Sequence, residues 1–175
     1  MGTSPDSIRV IGEKDLLEVA RVARSTWQNW SRQGIITPAA EGLHGERDVL
    51  EALVVGLLTQ AFDLRRTRAV WRLARDDVLA ACLALPLDQQ ATLDAIVDLH
   101  TWRTALARDI EELAAALHAQ VPYPRGRYVM ALAAPVQEAR QVFWTRAVPA
   151  ADFASDKRRR TRRARGATGR GTTDS

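Results

Sequence analysis

Apolar and polar residues alternate at helical spacing near the N terminus, where residues 15–38 predict two short helices joined by a tight turn at 21–23. Trp27 and Trp30 are three residues apart, so they share the inner face of the second helix. Gly34 suits the position just after that helix, where φ is positive. The pattern therefore predicts a compact helix pair.

The outer face of the second helix is polar. Ser25 or Thr26 is expected to cap its N terminus. Four side chains on or near that face can bond to phosphate oxygens or to the edges of guanine and adenine: Arg24, Gln28, Asn29 and Arg32. Such a pair can place its second helix in the major groove of DNA. The alternative is an ordinary helical hairpin with a solvated polar face.

Turn-forming residues follow the helix pair. The segment 37–46 is short and rich in Gly and Pro, which favours a small β-hairpin or wing around His44. An apolar helix is predicted from Arg47 to Ala61. After a corner at residues 62–63, a second helix is predicted over residues 64–85.

A long helix is predicted next, because no Gly or Pro interrupts residues 88–119. Apolar residues there recur in steps of three and four, as in a heptad seam broken once by Arg103. About 30 helical residues would span roughly 45 Å, which suits self-association; the alternative is packing against the chain's own last helix. The predicted dimerisation residues are Ile96, Leu99, Leu106, Ile110, Leu113 and Leu117.

The C-terminal third begins with a Pro- and Gly-containing break at residues 121–126. Residues 127–133 fit either a strand or a short helix. Pro135 suits a first helical turn, and residues 136–149 predict a final amphipathic helix. Packed against the long helix, it would complete a helical bundle.

The segment from about residue 8 to residue 80 resembles a known family. A helix and turn, the pattern ST(aromatic)xxW, then xxGII(x)P, a short glycine-bearing wing, RDV and an apolar helix together resemble the winged-helix domain of the mercury-resistance-regulator (MerR) superfamily, over about residues 8–80. The resemblance implies a winged helix-turn-helix that binds DNA. This sequence has Gln28 where family members commonly carry an Arg that holds a backbone phosphate. Excisionases and some phage or plasmid regulators resemble the same fold.

Charge is concentrated at the C terminus of the 175-residue chain, whose net charge is +4. Residues 157–175 hold eight basic residues and one acid, a charge of +7, whereas the other 17 basic and 20 acidic residues give −3. This Arg-rich segment has almost no apolar residues, so it is expected to be disordered and to add salt-dependent affinity for phosphates. The alternatives are that this segment binds RNA or an acidic protein, or that it only makes the protein more soluble.

Several classes of protein find little support. No apolar run approaches the length of a membrane span, and the N terminus carries no secretory pattern. Cys82 is the only cysteine, which fits a reducing cytoplasm. No hydrolase, metalloprotease or phosphate-loop motif is present, and the three histidines lie far apart. The expectation is therefore a cytoplasmic, nucleoid-associated protein that is not an enzyme and has no cofactor or metal; no motif indicates a small-molecule effector.

These patterns and the resemblance predict a mainly α fold with an N-terminal winged helix-turn-helix at residues 8–85, a helical dimerisation region at 86–150 and a disordered basic tail at 151–175. The predicted function is a sequence-specific transcriptional regulator that binds double-stranded DNA as a homodimer. The alternatives are an architectural DNA-binding protein (excision, plasmid partition or phage packaging) and a protein-interaction module. The predicted DNA-binding residues are Arg24, Ser25, Thr26, Gln28, Asn29, Arg32, His44, Arg47, Arg65, Arg68, Lys157, Arg158, Arg159, Arg160, Arg162 and Arg163.

Overall fold

Six helices and six strands are the main elements of the part of the chain that a computed structural model describes, namely residues 8–37, 42–118 and 126–153. In chain order they are β1 (Arg9–Gly12), α1 (Glu13–Val19), α2 (Arg24–Arg32), β2 (Leu43–His44), α3 (Glu46–Ala61), α4 (Leu64–Ala84), β3 (Asp94–Asp98), β4 (Thr104–Ala107), α5 (Ile110–His118), β5 (Arg127–Ala131), α6 (Ala133–Arg146) and β6 (Val148–Pro149). A further short helical segment occupies residues 150–153.

The predicted helix pair is confirmed. Helices α1 and α2 are separated by residues 20–23, and Trp27 and Trp30 are both buried on the inner face of α2. The predicted cap is wrong: α2 begins at Arg24, and its N-cap residue Ala23 makes no side-chain bond to the helix. Neither Ser25 nor Thr26 is therefore in a capping position, and both lie within the first helical turn.

A small antiparallel sheet brings the two ends of the described chain together. Its strand order is β2-β1-β6, with Ile11 opposite His44 and Val10 opposite Val148. The expected hairpin within residues 37–46 is replaced by pairing of β2 with the N-terminal strand. Residues 38–41 of that segment lie outside the described residues.

The two central helices match the sequence prediction closely. Helix α3 is buried over most of its length, as its apolar sequence indicated, and α4 follows after a two-residue corner. The side chain of Asp63 caps α4 by accepting the backbone N–H of Arg66 at 2.8 Å. Phe62, the first residue of the corner, has an extended backbone, so the chain changes direction there.

The long helix over residues 88–119 is not formed, and the predicted mainly α fold with a long-helix bundle is wrong. That region instead contains β3, β4 and the nine-residue α5. Strands β3 and β4 form an antiparallel hairpin, and β5 pairs with the other edge of β3 to give the order β4-β3-β5. The architecture is therefore helices combined with two three-stranded antiparallel sheets.

Strand geometry explains why the heptad seam fails. Successive side chains of a strand point to opposite faces, and Leu106 lies opposite Ala95, so it shares a face with Ala95 and not with Ile96. Ile96 is buried, and Leu99 and Leu106 are half-buried in the hairpin. Steps of three and four therefore do not place these residues on one surface, and the predicted dimerisation seam is broken.

One cluster of buried side chains joins the two halves of the chain, extending from Ile11 to Ala147. Helix α6 is held to it by the buried guanidinium of Arg140. Its Nε donates to Glu46 at 2.6 Å, and its Nη1 donates to the carbonyls of Cys82 and Leu85 at the end of α4. These bonds offset the cost of burying the charge, because Nε and Nη1 both donate to acceptors.

Gly56 lies in the middle of α3, where glycine disfavours helix formation. A Cβ added there would meet the side chains of Val22 and Trp30 at 3.6 and 3.7 Å, which is ordinary van der Waals contact. We expect Gly56→Ala to raise the free energy of unfolding by about 0.5–1 kcal/mol. Urea denaturation of the variant and wild type checks this; a loss of stability would show that the space beside α3 is tighter than these distances indicate.

Candidate nucleic-acid interface

The outer face of α2 carries a continuous stripe of exposed polar side chains opposite the two buried tryptophans. The positions follow helical spacing of three and four residues, so they lie along one side of the helix. None makes a side-chain hydrogen bond or ion pair within the described parts of the chain. The stripe, called the α2 stripe below, consists of Ser25, Gln28, Asn29 and Arg32.

The two ends of α2 are held to different degrees. At the N terminus, Arg24 lies 3.1 Å from Glu13 in an exposed ion pair, which is worth little in water and leaves the guanidinium available to an anion. At the C terminus, Gly34 has a φ of +64°, and the amides of Gly34 and Ile35 donate to the carbonyls of Ser31 and Trp30. This pattern is a Schellman motif, which satisfies the last carbonyls of a helix.

Arg68 fastens the end of α2 to α4. Its Nη2 donates to the backbone carbonyl of Gln33 and, at 3.0 Å, to the side-chain Oε1 of the same residue. Arg68 was predicted to hold a phosphate, but its guanidinium is already engaged in positioning α2. Arg65, one turn earlier on α4, is exposed and has no side-chain partner among the described residues.

His44 lies behind α2 and not on its outer surface. Its ring is 1% exposed and meets the edge of Trp27, with 5.8 Å between ring centroids. Neither ring nitrogen has a hydrogen-bond partner in the described structure, and Nδ1 is 3.9 Å from the carboxylate of Asp48. The buried side chain of His44 therefore cannot make the predicted contact with DNA in this conformation. Its ring instead supports α2 from the inner side.

Burial lowers the pKa of His44 below its ordinary value of 6.5, while the carboxylates of Asp48 and Glu13 act in the opposite direction. The unfolded chain therefore binds this proton more readily than the folded protein does. The contribution of neutral His44 to the free energy of unfolding is fully present above pH 6.5. It is lost as the pH falls through the lowered pKa.

We therefore expect the free energy of unfolding to decrease between about pH 7.5 and 5.5, above the range in which most carboxylates titrate. Urea denaturation across that range measures the effect. His44→Leu should flatten the pH dependence, whereas His118→Gln, at an exposed position on α5, should leave it unchanged. Identical pH dependence in all three proteins would rule out this role for His44.

Arg47, at the start of α3, is tied to α4. Its Nη2 lies 2.5 Å from Oδ1 of Asp76, and both side chains are at least half exposed. The loop before it is closed by the N–H of Gly45, which donates to Asp48 at 2.8 Å. Arg47 thus remains near the surface, but a phosphate would have to compete with Asp76 for it.

The structure also shows a polar groove that was not predicted. It lies between the end of α2 and α4 and has a volume of about 510 Å³. Arg68, Arg72 and Arg75 line it from α4, and Gly34 and Ile35 line it from the turn after α2. Arginines spaced three and four apart on α4 are visible in the sequence, but their position beside α2 depends on tertiary packing.

Arg75 differs from its neighbours because it is used within the protein. It donates through Nε and Nη2 to the two carboxylate oxygens of Glu51, at 2.8 and 2.9 Å, and the indole of Trp71 donates to the same carboxylate at 3.2 Å. Glu51 is buried. The pKa of Arg75 is raised, first by its hydrogen bonds to Glu51, so it is a structural cation.

The remaining predicted site residues divide into two groups. The basic residues from Lys157 to Arg163 lie outside the described residues. The C-terminal part of the predicted dimerisation seam lies on α5, where Ile110 is 78% exposed, Leu117 is 43% exposed and Leu113 is half-buried. These three side chains, at positions i, i+3 and i+7, form an apolar face on a helix that has no buried residue.

Within residues 8–37, 42–118 and 126–153, no three His, Cys, Asp or Glu side chains come together in an arrangement that would hold a metal ion. Cys82 is buried, which raises the pKa of its thiol to about 12. None of the helices described combines the length and apolar composition needed to cross a membrane.

No protein-family model matches the chain, and a comparison with curated proteins found no match.

Proposed function

We propose that this protein binds double-stranded DNA in a sequence-dependent way, with α2 in the major groove, and that it regulates transcription. The observation that carries the proposal is the α2 stripe. Its Gln, Asn and Arg side chains are the types that read base edges, and they are exposed and unpartnered within the described chain. The opposite face of the same helix is fixed by Trp27 and Trp30.

The rigidity of α2 supports this use. Direct readout requires side chains held in a fixed position relative to the groove, which rigid elements provide better than loops. The Schellman motif, the Arg68 bond to Gln33 and the packing of His44 against Trp27 fix the helix at its end and along its inner face. The resemblance of residues 8–80 to the MerR superfamily points the same way and is part of the same proposal.

A titration of full-length protein against genomic DNA fragments, with excess unrelated competitor DNA, tests this function. We expect salt-sensitive binding that survives the competitor, because specific contacts add to a general phosphate interaction. Binding that disappears with the competitor would contradict sequence-dependent recognition. Footprints that spread over long arrays would favour an architectural role, and the absence of DNA binding would favour a protein-interaction module.

We propose separately that the protein binds DNA as a homodimer, as its sequence predicts. A single recognition helix reaches one half-site, so proteins of this type usually bind in pairs. The exposed apolar face of α5, around Ile110 and Leu117, is the part of the predicted seam still accessible to a second copy. Analytical ultracentrifugation of the complex should find two copies on a duplex that carries the selected site; a single copy would contradict the dimer.

We also propose that the basic segment after Asp156 adds general affinity for DNA. Its charge of +7 comes almost entirely from arginine. Each phosphate contact contributes about 0.9 to the slope of log affinity against log salt concentration. A chain ending at Asp156 should therefore bind more weakly, with a flatter salt dependence and the same preferred sequence. A changed preferred sequence would mean that this segment itself reads bases.

A further inference from the structure

The corner between α3 and α4 is packed against the second sheet through an aromatic cluster. The ring of Phe62 meets Trp102 edge-on, with 5.9 Å between centroids, and meets Tyr128 with 5.1 Å between centroids. Trp102 belongs to the turn between β3 and β4, and Tyr128 to β5. The first turn of α4 and the β3–β4 turn therefore lie side by side.

The β3–β4 turn has a fixed and unusual conformation. Trp102 has a φ of +58°, in the left-handed region, which a bulky aromatic residue rarely adopts. The carboxylate of Asp98 accepts the backbone N–H groups of His100 and Thr101, at 2.9 and 2.8 Å, and the Asp98 carbonyl accepts the N–H of Trp102 at 2.8 Å. A strained residue held by its surroundings suggests that the position of this turn matters to function.

The surface beside this turn is basic. The guanidinium of Arg66 lies over the Trp102 ring, 5.7 Å from its centroid. Arg65 and Arg103 are exposed, and neither side chain has a partner among the described residues. The carboxylates of Asp63 and Asp98 already make bonds: Asp63 caps α4 and lies 3.5 Å from Arg66, and Asp98 accepts the turn amides.

This corner surface, defined by Arg65, Arg66, Trp102 and Arg103, is connected to the α2 stripe through α4. Arg68 lies one turn after Arg65 and binds Gln33 at the end of α2. The first two turns of α4 therefore place the end of α2 on one side and the β3–β4 turn on the other. The helix that holds the end of α2 therefore also carries the corner surface.

We propose that the corner surface binds the phosphate backbone of the DNA that flanks the site contacted by α2; this inference rests on the proposed function. Phosphates fit better than stacked single-stranded bases, because Trp102 is already covered by Arg66 on its face and by Phe62 at close range. The Trp102 ring then positions the guanidinium of Arg66, and Arg65 and Arg103 supply further donors suited to phosphate oxygens.

Fluorescence-anisotropy titrations test this with two duplexes that contain the same selected site. One ends at the site, and the other extends by about 10 base pairs, one helical turn, on each side. Wild-type full-length protein should bind the longer duplex more tightly. Arg103→Ala should lose much of that gain, and its salt slope on the longer duplex should fall by about 0.9, which makes the loss of affinity between about 50 and 200 mM salt roughly threefold smaller.

Arg108→Ala is the matched control, because it removes the same exposed charge from the other end of β4. It should behave as wild type. Trp102→Gly, which suits the left-handed backbone but removes the ring under Arg66, should also lose the length-dependent gain while circular dichroism remains native. Equal behaviour of Arg103→Ala and Arg108→Ala on both duplexes would overturn the inference.

The two duplexes separate a flanking contact at the corner surface from base reading by α2. If wild-type protein binds the short duplex specifically but gains nothing from the longer one, the corner surface does not contact DNA and α2 still does. If wild-type protein binds neither duplex, the proposed function is wrong and the flanking contact is overturned with it.

Discussion

Replacing Asn29 and Arg32 together by alanine is expected to abolish most sequence-specific DNA binding while leaving non-specific binding. Both side chains are exposed on the α2 stripe and bond to nothing else in the described structure, so their removal should not weaken the fold. A well-formed contact between such a side chain and a base contributes about 1–3 kcal/mol of discrimination. Each substitution should then reduce specific affinity by roughly 5- to 150-fold.

The measurement is a competition titration with the selected site and an unrelated duplex. The matched control is the double variant Gln90→Ala and Arg108→Ala, which removes an exposed amide and an exposed guanidinium away from α2. Its ratio of specific to non-specific affinity should equal that of wild type. If the α2 variant and the control keep the same ratio, α2 does not read the sequence.

Replacing Trp30 by alanine is expected to have the largest effect on stability. Its side chain is 1% exposed, and it packs between α2 and α3, close to Gly56. Truncating a fully buried tryptophan removes its apolar contacts and leaves a cavity, which costs about 3–5 kcal/mol. A domain of this kind has about 5–15 kcal/mol of stability in total, so the variant should be close to unfolding at physiological temperature.

Trp144→Ala provides the comparison, because Trp144 is 42% exposed. It donates a hydrogen bond to Glu46 at 2.9 Å and has Arg9 over its ring, so its loss should cost only about 1–2 kcal/mol. Urea denaturation of both variants measures the difference. Equal losses would mean that Trp30 does not anchor α2, and the fixed geometry required for base reading would lose its main support.

The N-terminal elements could be predicted because their signals are local. Trp27 and Trp30 at a spacing of three, Gly34 after the last turn and the apolar run of α3 each act within a few residues. The structure retains all of them. Their agreement with the fold reflects sequence preferences and tertiary packing that favour the same conformation.

The region from β3 to α5 could not be predicted in this way. Residues 94–98 are held as a strand by pairing with β4 and with β5, whose residues 127–131 lie some thirty positions away. A short apolar run such as Ile96-Val97 fits a helix or a strand equally well on spacing alone. The Asp98 turn and the left-handed Trp102, which separate β3 from β4, leave no clear mark in the sequence.

The candidate interface could be predicted only in part from the sequence, because contacts between distant segments determine which side chains are free. The outer face of α2 follows from helical periodicity, and the exposed positions agree with it. Contacts between distant segments decided the rest: His44 is buried behind Trp27, Arg68 is occupied by Gln33, and Arg47 is paired with Asp76. Residue type alone cannot distinguish an arginine that awaits a phosphate from one that already has a partner.

Selection of bound sequences from a random duplex library, carried out in parallel with wild-type protein and with Asn29→Ala, shows whether α2 reads bases. Wild-type protein should enrich a defined motif, and the variant should lose preference at one or two adjacent base pairs of it, because one side chain contacts the edges of very few bases. Enrichment of the same motif to the same degree by both proteins, or of no motif by wild-type protein, would contradict the claim that α2 reads DNA.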